Sequence, residues 1–388
     1  MINNNPFTSK LFSKIWCSHF NNSKPTYTFD FIEDITFYRP SFLPLYDNIG
    51  KNLTKGISYV LNPSASLKSF KNKVLLIYDV PKYFDIQTNQ SPKKIGLKKI
   101  KQYPGFLINL ENYDDFNIYF KNSFSKSSIQ KLNRYNRRLE TCFNISEKML
   151  MGSHVKKSEY EFVFNYFHQL LTKRFEDKQI TNNNLNPKEW LFYKEVAYPL
   201  LLDNKDALHV IYNENIPISV RLLYFSENTI FDAITVFDID YTKFHIGKIS
   251  IMKMLKWSFE SNYKIFDFSK GYFDYKESWS DLKYDFEYHI FYNKTSITAN
   301  IIATTLSSFF KLKQYLRDKE FNNILHKISF IFNNKKTNTI SLIAIDKETI
   351  NYTEDMLIEI NINDSNYSFL KKILLNLFFL ICTVIKNE

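Results

Sequence analysis

The sequence predicts a mixed α+β fold in which a mostly antiparallel sheet is flanked by helices. Three observations lead there. The chain has 388 residues, 44% of them hydrophobic and 17% aromatic, enough to bury more than one ordinary domain core. Between Ala207 and Phe237 three strand-like alternations follow one another, separated only by the turns "NEN" and "SEN", and connections so short join antiparallel neighbours. Blocks of helical period lie on both sides of that meander.

In chain order, "MINNNPFTSKLFSKIWCSHF" lacks the apolar run of roughly 7 to 15 residues that a signal peptide needs, so a cytoplasmic location is expected. "NKVLLIYDV" (Asn72 to Val80) reads as a buried strand among turn-rich segments carrying Pro81, Pro92 and Pro104. From Tyr113 to Glu140 the latter part has helical spacing, with Ile129, Leu132 and Leu139 apolar and Lys126, Lys131, Arg134, Arg137 and Arg138 basic. That face is either a solvated surface or an arm for an anionic ligand. Helices are expected from Glu159 to Asp177 and from Pro187, at the favoured first position, to Leu202. Strands follow at Ala207–Tyr212, Ile218–Phe225 and Ile230–Phe237, then a helix at Lys248–Ser261 with Ile251, Met252, Leu255 and Phe259 as its buried stripe. The strand "YKIFDFS" comes next, and another at Tyr284–Asn293. A strand–helix–strand passage places its two strands parallel in one sheet. Further on, "TNTISLIAIDKETI" suggests a strand, and "ILLNLFFLICTVI" (Ile373 to Ile385) suggests a helix. The latter falls short of the roughly 20 residues that span a bilayer, which leaves packing on the core or peripheral membrane contact.

The net charge of +11 favours anionic partners such as nucleotides, coenzyme phosphates, acidic glycans, nucleic acid or a membrane surface. Cys17, Cys142 and Cys382 stand far apart without a CxxC pair, and the seven histidines show no HxxxH or HExxH spacing. A reducing compartment fits best, with no zinc site, disulfide framework or other metal centre expected.

The stretch "FDFSKGYFDYKESW" (Phe266 to Trp279) concentrates the chemistry. Asp267 ends an apolar run, so a partly desolvated carboxylate with a raised pKa is expected there. Such a group could accept a proton from an attacking amine or hydroxyl, or simply bond the backbone of the following loop. Lys276, nine positions on, could pair with Asp267, hold a phosphate or polarise a carbonyl. Tyr275 could protonate a thiolate leaving group, although it and Trp279 also suit packing. Gly271 suits a backbone conformation that a side chain would forbid. Arg221 interrupts the apolar run "ISVRLLYF" and faces either a cleft or solvent. His209 and His245, each isolated, read as structural groups.

Together these elements resemble the GNAT superfamily of acyltransferases, and within it a CelD-like branch related to Fem-type aminoacyltransferases. The terminal pattern is close to "DFGxGxxxYKxxW", met here by Asp267, Phe268, Ser269, Lys270, Gly271, Tyr275, Lys276 and Trp279, with Ser269 replacing the first glycine. The segment from Tyr113 to Glu140 is similar to a helix that enters an "LRRxxRRL"-like run.

The resemblance implies tandem GNAT-like halves, each a mixed sheet with flanking helices, the C-terminal one better preserved. Its domains would be 1–140, a degenerate GNAT-like unit; 141–300, the catalytic unit; and 301–388, an extension packed on the core. It further implies acyl-coenzyme A, most simply acetyl-coenzyme A, as co-substrate. The pyrophosphate would lie against "KFHIGK", at His245, Ile246, Gly247 and Lys248, although the family's Q/RxxGxG/A loop has only one glycine here. Asp267, Lys276 and Tyr275 would be catalytic, and Arg221, Gly271 and Trp279 would contact the acceptor, a sugar or other cell-envelope precursor. The alternatives are a Fem-type transferase using aminoacyl-tRNA and a non-catalytic binding or scaffold protein with this fold.

Overall fold

The runs that read as strands in the sequence at 74–80, 207–211 and 218–225 are buried throughout in the computed structural model, which describes residues 2–22 and 24–318. The strand expected within 337–350 and the apolar helix at 373–385 lie outside the described residues, as does most of the expected 301–388 unit. The N-terminal part contributes α1 (Lys10–Phe20), capped by Ser9, then β1 (Thr26–Phe29), β2 (Ile32–Tyr38), β3 (Leu45–Asn48) and β4 (Val60–Leu61). There follow β5 (Val74–Pro81), every residue of which is buried, the fifteen-residue β6 (Ile95–Asn109), α2 (Phe116–Ser123) and α3 (Lys126–Cys142). The remainder supplies β7 (Ile145–Leu150), α4 (Lys157–Asp177), α5 (Pro187–Leu202), β8 (Asp206–Asn213), β9 (Ile216–Phe225) and β10 (Thr229–Phe237). It ends with α6 (Ile246–Glu260), β11 (Ile265–Lys270), α7 (Asp274–Trp279), β12 (Leu282–Asn293) and α8 (Ile297–Asp318).

All of these strands join one twelve-stranded sheet in the order β1-β2-β3-β5-β12-β6-β11-β10-β9-β8-β7, with β4 beside β2. Pairing is antiparallel except at β3–β5 and β10–β11. The sheet runs across the 140/141 position, because β6 lies between β11 and β12, and β12 in turn pairs with β5. One face packs on α1, α4 and α5 through Phe12, Phe164, Phe192 and Leu222; the other carries α2, α3 and α6 over Ile108, Leu223 and Phe266. α8 covers β5, β6 and β12 through Ala299, Ala303 and Phe310.

The β10–β11 pair departs from regular pairing. The two strands are in parallel register only at Thr229–Ile265, Ile230–Phe266 and Phe231–Asp267. Beyond Phe231, β10 continues along β9 to Phe237, with an irregularity between Asp232 and Ile234. A bulge at that point bends the strand, and the sheet opens into a fork.

Gly105 on β6 lies under Tyr284 of β12; a Cβ there would come within 2.2 Å of the tyrosine ring. Gly105→Ala is therefore expected to cost about 1–3 kcal/mol, seen as a lower urea midpoint with an unchanged slope. An unchanged midpoint would mean that the Tyr284 ring yields freely.

Candidate functional site

At the fork, β11 delivers Asp267 from the apolar pair Ile265 and Phe266 into a fully buried position. Its carboxylate accepts from Tyr284 Oη at 2.8 and 2.7 Å, Tyr83 Oη at 2.9 Å and the Ser269 amide at 2.7 Å. Burial dominates and pushes the carboxyl up to about 6, against the pull of these donors and of Lys276. Bonding to the following loop and a raised pKa, two readings of this residue from the sequence, thus coexist in one side chain.

After Asp267 the chain turns through Ser269 (φ 62°) and Gly271 (φ 129°), the latter in a region that favours glycine. Lys276 from α7 reaches back into the turn, donating to the carbonyls of Ser269 at 3.2 Å and Lys270 at 2.9 Å. Its burial lowers the ammonium to about 8, while Asp232 and Asp267 oppose the shift. Tyr275 leaves part of its ring at the surface, 38% exposed. Its hydroxyl is pushed up by burial and by Asp232, with Arg221 and Arg174 acting in the other direction. Trp279 is buried against Phe124, ring centroids 4.7 Å apart, and its carbonyl accepts from Tyr119 Oη.

Arg221 faces inward, only 1% exposed. Its guanidinium forms an ion pair with Asp232 and donates to Ser250 Oγ at 3.3 Å. Asp232, which sequence reasoning missed, sits where β10 leaves β11 and also accepts from Thr235 Oγ1 at 2.8 Å. Only its place directly after an apolar strand start, the same signal that marked Asp267, could have found it. His209, the cross-strand neighbour of Arg221, is buried and bonded to Glu147 at 2.7 Å.

The tip of α6 lies at the far end of β10. His245 adopts a left-handed conformation (φ 57°), and no side chain caps the helix. Its carbonyl accepts from Lys248 and Ile249, so the amides of Ile246 and Gly247 begin the helix without a partner among the described residues. A Cβ on Gly247 would come within 2.6 Å of the Phe237 ring, so glycine lets the helix start close against β10. Tyr135 of α3 stacks on His245 with ring centroids 3.7 Å apart, which places the basic helix beside this tip. Arg174 lies over the Phe237 ring at 4.3 Å and acts electrostatically on Tyr275, linking the tip to the fork.

The structure thus gathers Asp267, Lys276, Tyr275 and Arg221 around the fork, with Gly271 in its turn. His245, Ile246, Gly247 and Lys248 form a separate anion-compatible tip, and Trp279 belongs to the core between α7 and α2. Among the described residues no group of three or more His, Cys, Asp or Glu side chains could hold a metal ion, and no helix is long and apolar enough to cross a membrane.

Residues 127–277, from α3 to α7, match the family model described as acetyltransferase (GNAT) domain. Among curated proteins none matches the sequence. Solved structures to which the chain is similar include L-PGS from Bacillus licheniformis, at 13% identity over 79% of this chain and 98% of that one, with a TM-score of 0.45. FemX is similar at 14% identity over 66% and 83% of the two chains, with a TM-score of 0.46. A tandem GNAT protein from the clavulanic acid biosynthesis pathway is similar at 6% identity over 66% and 77%, with a TM-score of 0.34.

Asp267 gives the site a pH signature. Its folded carboxyl holds a proton more tightly than an unfolded aspartate, so its contribution to stability is full below the ordinary value of 3.8 and is lost as pH rises through about 6. Between pH 4 and 6.5 wild type should lose about 2–3 kcal/mol that Asp267→Asn does not, measured by urea unfolding of both proteins. Parallel pH profiles would show that the Asp267 carboxyl titrates normally.

Proposed function

We propose that the protein transfers an acyl group, most simply acetyl, from coenzyme A to an amino or hydroxyl group of a sugar or other cell-envelope precursor. The observation that carries this reading is the parallel β10–β11 pair that parts after Phe231 and Asp267, with the amides of Ile246 and Gly247, unbonded among the described residues, beyond the far end of β10. The open edge of β10 offers backbone donors and acceptors to an extended thioester arm. The α6 tip, with Lys248 and the basic face of α3, suits a pyrophosphate.

Acyl transfer from a thioester needs positioning, a route for the acceptor's proton and donors for the oxyanion. In this reading Asp267, ionised at neutral pH and hydrogen-bonded by Tyr83, draws the proton from the attacking group through that hydroxyl. The acceptor's nitrogen or oxygen bonds to the acyl carbon, the carbon–sulfur bond breaks, and Tyr275 returns a proton to the thiolate. Lys276 fixes the Ser269–Gly271 turn and adds positive potential where the oxyanion develops. Arg221, held by Asp232, contributes to the acceptor side together with Gly271, while Trp279 supports α7 from the core. A cytoplasmic location, with any peripheral membrane contact made through residues 373–385, accords with such a substrate.

A second reading has a specific observation in its favour. Lys126, Lys131, Arg134 and Arg137 line an exposed face of α3, which suits an aminoacyl-tRNA donor as in Fem-type transferases.

At 100 times its dissociation constant, acetyl-coenzyme A is expected to stabilise the fold by about 2.7 kcal/mol, seen as a raised melting temperature. Lys248→Glu should weaken that shift, while Asp267→Asn should keep it and lose at least about 100-fold in thiol release with an accepted substrate. No shift with acetyl-coenzyme A, but a salt-sensitive one with tRNA, would replace this reading by the second.

A further inference from the structure

The loop between β3 and β4 carries a lysine that neither the fold nor the proposed reaction has used. Lys55 is 9% exposed, and among the described residues its ammonium makes no hydrogen bond and no contact ion pair. The loop holding it is pinned on both sides. Thr54 Oγ1 donates to Asp79 Oδ2 at 2.9 Å, the Ile57 amide to the Asp79 carbonyl at 2.8 Å, and Asn5 Nδ2 to the Gly56 carbonyl at 2.9 Å. A Cβ on Gly56 would lie 2.7 Å from the Phe84 ring, so the backbone there is closely packed. Lys55 is therefore a largely buried cation on a pinned loop, without a hydrogen-bond or ion-pair partner among the described residues.

Its surroundings show what is missing. Four groups on four different elements act on it: Lys270 from β11, Lys276 from α7, Asp79 from β5 and Asp232 from β10. Asp79 is in contact with Lys270, and Asp232 with Arg221; Lys276 lies within the field of Asp267. Each carboxylate of the fork thus has its own cation, and Lys55 is left over. Burial, followed by Lys270 and Lys276, lowers its ammonium to about 7, with Asp79 and Asp232 opposing. A buried ammonium without a counter-charge releases its proton, and a bound anion reverses that.

We propose that Lys55 anchors an anion subsite at the fork, in which a carboxylate or phosphate sits between Lys55 and Lys276. That this anion belongs to the acceptor rests on the acyl-transfer reading; the subsite itself rests on the burial of Lys55 and on the bonds that tie its loop to Asp79 and Lys270, and Lys270 to Lys276. It makes the acceptor an anionic molecule and makes the N-terminal part of the chain a determinant of its choice. Binding there is coupled to proton uptake by Lys55 above neutral pH.

The test is isothermal titration calorimetry of the full chain at pH 8 with inorganic phosphate and, separately, acetate, each in two buffers of different ionisation heat. Wild type should take up close to one proton per bound anion, about 0.9 for a lysine near 7. Stronger binding of phosphate or of acetate identifies which of the two the subsite prefers. Lys55→Met should lose this uptake and bind at least about 10-fold more weakly. Lys55→Arg, permanently charged, should bind with no uptake. Phosphate held at the α6 tip gives no Lys55-dependent protons, so the proton count separates the two places. If Lys55→Met fails to fold by circular dichroism, Lys55→Arg decides: binding with uptake intact overturns the proposal. So does wild-type behaviour in Lys55→Met. Lys55-dependent uptake without stabilisation by acetyl-coenzyme A leaves the subsite standing and removes the transferase reading; the converse removes only the subsite.

Discussion

Strand β11 is held unequally on its two sides, and that asymmetry shapes the rest of the site. On one side β6 pairs with it from Ile265 to Asp267 and again at Lys270. On the other, β10 accompanies it for three residues and then follows β9 past an extra residue. An interior strand that loses a neighbour exposes backbone donors and acceptors, which a soluble protein normally covers. Here the uncovered edge faces charged side chains, a combination that suits a polar, extended ligand better than packing.

The charges at the fork are costly to bury, and each is compensated differently. Asp267 is satisfied by two tyrosine hydroxyls and an amide, an arrangement in which the neutral acid and the carboxylate lie close in free energy. Arg221 and Asp232 form a contact pair almost free of solvent. Removing either partner leaves an uncompensated buried charge, typically a loss of 3–5 kcal/mol. Lys276 is satisfied by carbonyls rather than by a carboxylate, so it tightens the turn while keeping its positive potential. Such a cluster is poor material for stability alone, since apolar residues of similar volume would pack at lower cost.

Much of the C-terminal half was legible in the sequence because its elements obey simple periods. The helix expected from Pro187 to Leu202 has those bounds in the structure, and the three meander strands differ by one or two residues at their ends. The parallel relation of β10 and β11 followed from the helix between them. β6 was not legible: "IGLKKIKQYPGFLIN" carries two glycines, three lysines and a proline around one clear apolar run, and Pro104 with Gly105 reads as a turn. It is a strand because Pro104 falls opposite an irregularity in β12 and Gly105 makes room for Tyr284. α1, β1 to β4, β7, α2 and α8 went unread for a related reason, their signals being short or diluted by a composition rich in Asn and Lys. At the site, Asp267 and Lys276 could be found from one local pattern. Asp232, Tyr83, Tyr284 and Lys55 could not, because what sets them apart is long-range proximity, which no local spacing encodes.

That proximity is built by a local irregularity in β5. Asp79 has a left-handed backbone (φ 61°) inside an otherwise extended strand, next to the point where the β5–β12 register shifts. The departure from the ladder costs backbone energy, of order 1–3 kcal/mol, and its amide is satisfied by Gln102 instead of a strand neighbour. In return, the Asp79 carboxylate meets Thr54, Gln102 and Lys270 at once, tying the β3–β4 loop to the end of β11. Without that bend the N-terminal strands would extend the sheet without reaching the fork. With it, the β3–β4 loop, β5 and the β11–α7 turn are tied together through Thr54, Asp79, Lys270 and Lys276, and a charge on one of them acts on the others.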